Sequence, residues 1–165
     1  MQIREATVDD WPAIYPVFAA VTAEGETYAY PTGLSSDDAR ALWTGQGRVV
    51  VAVDRDGEAD GTVLGTATMG PNRPGRGSHV ATASFMVSAD ARGRGVGRAL
   101  GEHMLAWATA EGFRAVQFNA VVETNTAAVA LWRSLGFAVV GTVPEAFDHA
   151  RLGLVGLHVM HRFLP

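Results

Sequence analysis

The seventeen residues from Ser84 to Leu100, SFMVSADARGRGVGRAL, constrain this chain more than any other stretch. An apolar run, Phe85-Met86-Val87, gives way to a polar corner at Ser88-Ala89-Asp90-Ala91. Arg92-Gly93-Arg94-Gly95-Val96-Gly97 follows, and then an apolar helical pattern begins. The order is strand, glycine-rich turn, helix. Glycines at a helix start let backbone N–H groups approach an anion without obstruction by Cβ, and the helix dipole favours negative charge there. Arg92 and Arg94 inside the turn and Arg98 just after it add charge-assisted donors. An ordinary connecting turn could carry the same glycines, so the motif has to be weighed with the rest of the chain.

The type of anion loop can be narrowed by elimination. A Walker A loop requires GK[ST], and this chain contains no lysine. A dinucleotide fingerprint requires Gly or Ala at its third position. Counting from Gly93 that position is Arg98, and counting from Gly95 it is Leu100. Neither register fits.

The charge distribution says what the loop could hold. The net charge is −4, but residues 1–60 carry eleven acids against four arginines. Residues 73–98 carry five arginines against one acid, Asp90. A local basic patch in an acidic chain suits a phosphorylated small molecule better than a nucleic acid. With 165 residues, 48% hydrophobic and 18% charged, the chain is expected to form one domain, 1–165, with a real core. No apolar run has the length of a membrane span, and MQIREATVDD is not a signal peptide, so the expected location is cytoplasmic, away from membranes. The absence of cysteine excludes a disulfide framework, a thiolate metal site and a cysteine nucleophile, and no metal site is expected.

Taken in order, Gln2–Ala6 reads as a short strand. Thr7 or Asp9 caps a helix to about Ala23, with Ile14, Val17, Phe18 and Val21 as its apolar stripe. Pro16 inside that pattern predicts a late start or a kink. Glu24 to Gly33 is a loop with two acids and two tyrosines, the composition of many binding surfaces, and Glu26 and Tyr28 are its candidate substrate contacts. Ser35-Ser36-Asp37-Asp38 caps a short helix through Trp43. Arg48–Asp54 is a buried strand, turned by Asp56-Gly57, and Thr62–Met69 is the next strand. After the broken loop Pro71–Gly77, His79–Val87 is the central strand. Val96, Leu100, Met104 and Trp107 recur at helical spacing on the helix that follows. Ala115–Val122 is a strand, Asn125 or Thr124 caps a helix through Leu135, and Gly136 ends it. Ala138–Val143 and Leu154–Phe163 are two final strands joined by a Pro144–Gly153 loop. These elements predict an α/β (α+β) fold, a mostly antiparallel sheet covered by helices.

The loop Arg92-x-x-Gly95-x-Gly97 resembles the pyrophosphate loop of the GCN5-related N-acetyltransferase superfamily. A second segment of that superfamily is also present: Asn125 opening a helix, Trp132 seven residues on, then Gly136-Phe137. The element order agrees as well, so the resemblance covers most of the chain. It implies a GNAT fold with a sheet of six or seven strands, about four helices and splayed central strands. It also implies acetyl-coenzyme A as co-substrate and an amine as acceptor.

On this resemblance, backbone groups of Phe85, Met86 and Val87 pair with the pantetheine arm. The N–H groups of Gly93, Arg94, Gly95, Val96, Gly97 and Arg98, with Arg92, hold the pyrophosphate, and Asn125 and Trp132 border the cofactor. A backbone N–H at Val87 polarises the thioester carbonyl. An amine attacks directly, so no protein nucleophile is required. Two departures stand out. Trp132 occupies a place where many members carry tyrosine, and an indole is not a usable acid near neutral pH. The central strand bears no carboxylate, which leaves Glu123, Glu26, Glu24, His79 or an ordered water as the base.

Asn119 lies on a strand expected to be buried, where Asn needs a partner, and is therefore a candidate substrate ligand. The segments around it are also similar to fungal enzymes that acetylate proline analogues, where two asparagines spaced like Asn119 and Asn125 serve the substrate. That similarity implies a small amino or imino acid as acceptor. A silent acyl-CoA-binding module and a protein or peptide N-acetyltransferase are the competing readings. Exposed strand edges point to a homodimer.

Overall fold

The computed structural model describes residues 1–45, 47–54 and 61–165. The expected turn at Asp56-Gly57 lies outside the described residues. Seven strands form one sheet: β1 (Gln2–Glu5), β2 (Arg48–Asp54), β3 (Thr62–Pro71), β4 (Val80–Val87), β5 (Ala115–Val122), β6 (Ala138–His149) and β7 (Gly153–Phe163). Their order across the sheet is β1-β2-β3-β4-β5-β7-β6. Helices α1 (Trp11–Glu24) and α2 (Ser36–Thr44) cover one face, and α3 (Val96–Ala110) and α4 (Thr126–Ser134) cover the other. The seven-stranded sheet and four helices agree with the α/β fold that the element order predicts and with the one that the resemblance implies.

Helices α1 and α3 bury the stripes their spacing marks, except that Trp107 at the end of the α3 stripe is only half-buried. On one face Val96, Leu100 and Met104 of α3 are almost wholly buried with Val116 and Met160 of the sheet. On the other, Ile14 and Phe18 of α1 meet Trp43 of α2 above Val51 and Val53. The Trp43 indole N–H donates to the Thr66 hydroxyl at 3.2 Å, which pairs the one polar atom of that ring. Gly101 on α3 leaves space for α4, because a Cβ there would stand 2.9 Å from both Leu135 Cδ1 and Trp132 Cζ3.

Two expectations are corrected. The first helix does not run from Thr7. A single 3₁₀ turn spans Val8–Asp10, and α1 starts at Trp11 with Pro12 in its first turn and Pro16 retained inside. The Asp10 carboxylate closes that turn, accepting the Thr7 N–H at 2.7 Å and a bond of 2.7 Å from each terminal guanidinium nitrogen of Arg4. The second correction concerns Pro144–Gly153, which is not a long loop. β6 continues to His149 through register shifts at Val139/Gly141 and Val143/Phe147, and only a tight turn separates it from β7. β6 is the edge strand, and Pro144 falls in its second register shift, where it has no register partner on β7.

Candidate active site

All neighbouring strands are antiparallel except β4 and β5, which run parallel. Their pairing is brief: Val80 opposite Ala115 and Ala81 opposite Val116. Beyond Ala81 the two strands diverge, while β4 stays paired with β3 as far as Val87. β5 is drawn instead toward β7, with a register shift between Phe118 and Val121 where Asn119 and Ala120 bulge out. A cleft of about 700 Å³ opens in the divergence.

Strand parity decides which backbone groups face it. The Val80 carbonyl accepts from Asn72 beside β3, and the Ser88 N–H donates to Leu64 of β3. The even-numbered residues of β4 therefore direct their polar groups to β3, and Phe85 and Val87 direct theirs into the cleft. Met86, expected to pair with the pantetheine through its backbone, turns those groups to β3 and buries its side chain in the α1 core, 1% exposed. Phe85 faces the cleft but is already engaged: the Tyr28 hydroxyl accepts its N–H at 2.8 Å and donates to its carbonyl at 2.7 Å. Burial pushes the Tyr28 phenol well above its usual pKa, so it remains a neutral donor. Val87, the last residue of β4, keeps its backbone edge open to the cleft.

Past Val87 the chain makes a 3₁₀ turn, Ala89–Ala91, and reaches the glycine motif. Gly93 and Gly95 have φ of 77° and 81°, and a Cβ at either would meet no heavy atom within 4 Å. Backbone conformation requires glycine there, and the space beside it is open. The first bond of α3 runs from the Ala99 N–H to the Gly95 carbonyl, so the N–H groups of Val96, Gly97 and Arg98 precede the helical ladder and suit an anion. The arginines are less free than their sequence suggests. Arg92 binds both oxygens of Glu24 at 2.6 and 2.7 Å, Arg94 binds Asp54, and Arg98 donates to the Ser134 hydroxyl at 2.8 Å. They brace the turn against α1, β2 and α4. Arg92 lines the cleft, and residues 93–98 follow on from that margin without forming part of its lining.

The other candidates separate clearly. Asn125 caps α4 by accepting the Ala128 N–H at 3.1 Å, and it also lines the cleft. Trp132 is 6% exposed and packs against Phe85 and Phe118 with ring centroids 4.8 Å apart in both pairs. It is a core aromatic with one side on the cleft. Asn119 lines the cleft but is exposed, not buried, because it sits in the β5 bulge. Its amide donates to Asn72 Oδ1 at 2.6 Å and accepts from Gln117 at 2.8 Å. Glu26 and Glu24 both line the cleft, and Glu26 binds Arg151 at 2.7 Å. Glu123 is exposed and outside the lining, where its carboxylate accepts the Gly156 N–H and ties β5 to β7. His79 lies in a separate hollow beside Arg114 and Phe163.

Sequence reasoning missed the far wall. His149, Phe147 and Leu157, from the end of β6 and from β7, line the same cleft. Phe147 and His149 are hidden because 144–153 reads as a loop, and the one available signal is a lone histidine before the Ala-Arg-Leu-Gly turn. The Thr124 hydroxyl, also in the lining residues, is buried and has no partner among the described residues. No cluster of three or more metal-ligating side chains occurs among the described residues, and no helix among them is long and apolar enough to cross a membrane.

Comparison with known proteins bears on this geometry. A GCN5-related N-acetyltransferase from Kribbella flavida has 63% sequence identity and a TM-score of 0.92, covering 99% of this chain and 97% of that one. A phosphinothricin acetyltransferase from Sinorhizobium meliloti, solved in complex with AcCoA, has 26% identity and a TM-score of 0.85 over 99% of this chain and 88% of its own. The L-methionine sulfoximine/L-methionine sulfone acetyltransferase of Pseudomonas paraeruginosa is 29% identical over 87% of this chain and 83% of its own length. The N-acetyltransferase aca1 of Schizosaccharomyces pombe is 38% identical over 52% of this chain, which spans only 41% of that relative's length. The model of the Acetyltransferase (GNAT) family matches residues 5–137, and this chain, with its splayed parallel pair and glycine turn, belongs to that family.

Proposed function

We propose that this protein transfers the acetyl group of acetyl-CoA directly to the amine of a small amino or imino acid. The observation that carries the reading is the divergence of β4 from β5 beside an open Val87 backbone edge, which leads to unpaired N–H groups at Val96, Gly97 and Arg98. The residues present fit the coenzyme. Open space beside Gly93 and Gly95 admits a diphosphate, and a cleft of about 700 Å³ admits the arm and an acceptor.

In the transfer, the amine nitrogen forms a bond to the thioester carbonyl carbon and the C–S bond breaks. The ammonium loses one proton before the attack and a second as the amide forms, and the coenzyme departs as thiolate and takes up one proton, so one proton is released overall. The Val87 N–H stabilises charge on the carbonyl oxygen. Glu26 receives the ammonium and its proton, since it lines the cleft and Glu123 does not. Arg151 holds one carboxylate oxygen of Glu26, leaving the other for the substrate. Trp132 borders the arm as an apolar wall and donates no proton to sulfur. The small-molecule reading is supported by the relatives' acceptors, methionine sulfoximine and methionine sulfone. Exposed Val140, Val143 and Leu154 on and beside the β6 edge suit a homodimer through that edge.

The test is thiol release from acetyl-CoA across a panel of amino acids, imino acids and peptides, alongside calorimetric titration of CoA. Release with small amino or imino acids supports the reading. Tight CoA binding with no release for any amine would establish a silent binding module instead, and release with peptides alone would move the acceptor to protein N-termini.

A further inference from the structure

His149 is the last residue of β6 and is 6% exposed, yet it lines the cleft. Its ring stands edge-on to Phe147 with centroids 6.2 Å apart. Its Nδ1 accepts the Arg151 N–H at 3.2 Å. A neutral imidazole whose Nδ1 accepts carries its proton on Nε2. Nε2 has no protein partner among the described residues and is not among the buried polar atoms left unpaired, so it touches the open space of the cleft. A donor held in an otherwise apolar, mostly buried ring is costly to leave without an acceptor.

The wall that carries His149 is fixed to the wall that carries Glu26. The Ala150 N–H donates to the Gly25 carbonyl at 3.0 Å, and Arg151 bonds Glu26 at 2.7 Å. A Cβ on Gly25 would stand 3.0 Å from the Ala150 Cβ, so the two backbones are in direct contact. The acceptor end of the cleft therefore presents a carboxylate on one side and an imidazole N–H donor on the other. An α-amino acid zwitterion carries the complementary pair, an ammonium and a carboxylate on adjacent carbons.

We propose that the His149 Nε2–H binds the carboxylate of an α-amino or α-imino acid acceptor, making His149 the residue that selects such acids over simple amines. This rests on the transfer reading above. In this tautomer Nε2 has no lone pair for a proton, so His149 recognises the substrate and does not act as the base.

The test compares acetyl transfer to an acid with transfer to the amine lacking its carboxylate: L-proline with pyrrolidine, and L-methionine with 3-methylthiopropylamine. The wild type is expected to prefer the acid in at least one pair. His149→Phe is expected to raise KM for that acid roughly 10- to 100-fold, the range of a lost hydrogen bond to a charged group, while KM for the matching amine and for acetyl-CoA changes by less than about threefold. His149→Gln, whose amide N–H reaches the position of Nε2, is expected to recover most of the loss, and the shorter His149→Asn is not. The Gln and Asn pair retains the test if the Phe variant fails to fold. Equal loss for acid and amine, a fall in kcat with KM unchanged, or a wild type indifferent to the carboxylate overturns the proposal. If CoA binds but neither acids nor amines are acetylated, the transfer reading fails first and the proposal falls with it.

Discussion

Gly97→Asp separates cofactor binding from folding. Gly97 is the second residue of α3, its N–H is among those offered to the proposed diphosphate, and a Cβ there would lie 3.4 Å from Leu131 Cδ2 and 3.9 Å from Val87 Cγ2. Both are ordinary contacts, so the backbone accepts a side chain without displacement. Replacing a helical glycine by aspartate gains only about 0.3 kcal/mol in propensity, and a carboxylate in the first turn gains about 0.3–1 kcal/mol from the helix dipole. The folded state should therefore be as stable as wild type or slightly more so. The ligand meets the opposite effect. A carboxylate about 5 Å from a phosphate at an effective dielectric of about 20 costs roughly 3 kcal/mol per charge, and solvent and salt reduce this to about 1.5–3 kcal/mol. CoA affinity should fall at least tenfold, by the conversion of about 1.4 kcal/mol per decade.

Isothermal titration of CoA into wild type, Gly97→Asp and the uncharged Gly97→Asn measures this directly. Thermal unfolding of the same samples verifies the fold. The Asn variant should lie close to wild type, and the gap between Asp and Asn should narrow as salt rises. A folded Asp variant with wild-type affinity would refute the assignment of the turn to a diphosphate.

Three further outcomes follow from the geometry. Arg4, and then Thr7, hold Asp10 at about 2 against an ordinary 3.8, so its contribution of about 2 kcal/mol is complete above pH ~4 and lost as pH falls toward 2. Thermal melts across that window should drop for wild type, whereas Asp10→Asn should be destabilised at neutral pH and lack that component. Gly101→Ala should destabilise by about 1–3 kcal/mol, read by denaturant titration, because its Cβ would stand 2.9 Å from Trp132 and Leu135. A neutral or stabilised variant would show that α3 and α4 can separate cheaply. Tyr28→Phe should leave the Phe85 N–H and carbonyl without their hydroxyl partner, at about 1 kcal/mol and a fall of roughly 2–4 °C in Tm. An unchanged melting curve would mean that water replaces the phenol fully.

The sequence alone determined the elements whose information is local. The α3 stripe, the Asn125 cap and the glycines at 93 and 95 are set by periodicity, by a side chain bonding its own helix and by backbone φ, and all are read within a few residues. Contacts between distant segments were decided by the tertiary structure. Asn119 is exposed because β5 bulges on its way to β7, and Glu123 is drawn to Gly156, so neither position could be judged from its own strand. The arginines of the turn are claimed by Glu24, Asp54 and Ser134, residues 68, 40 and 36 positions away. His149 reaches the cleft because β6 runs on past Pro144, which falls in a register shift of an edge strand. Periodicity and capping act along the chain, whereas a cleft forms where two strands part, and that parting depends on which third strand takes up the free edge.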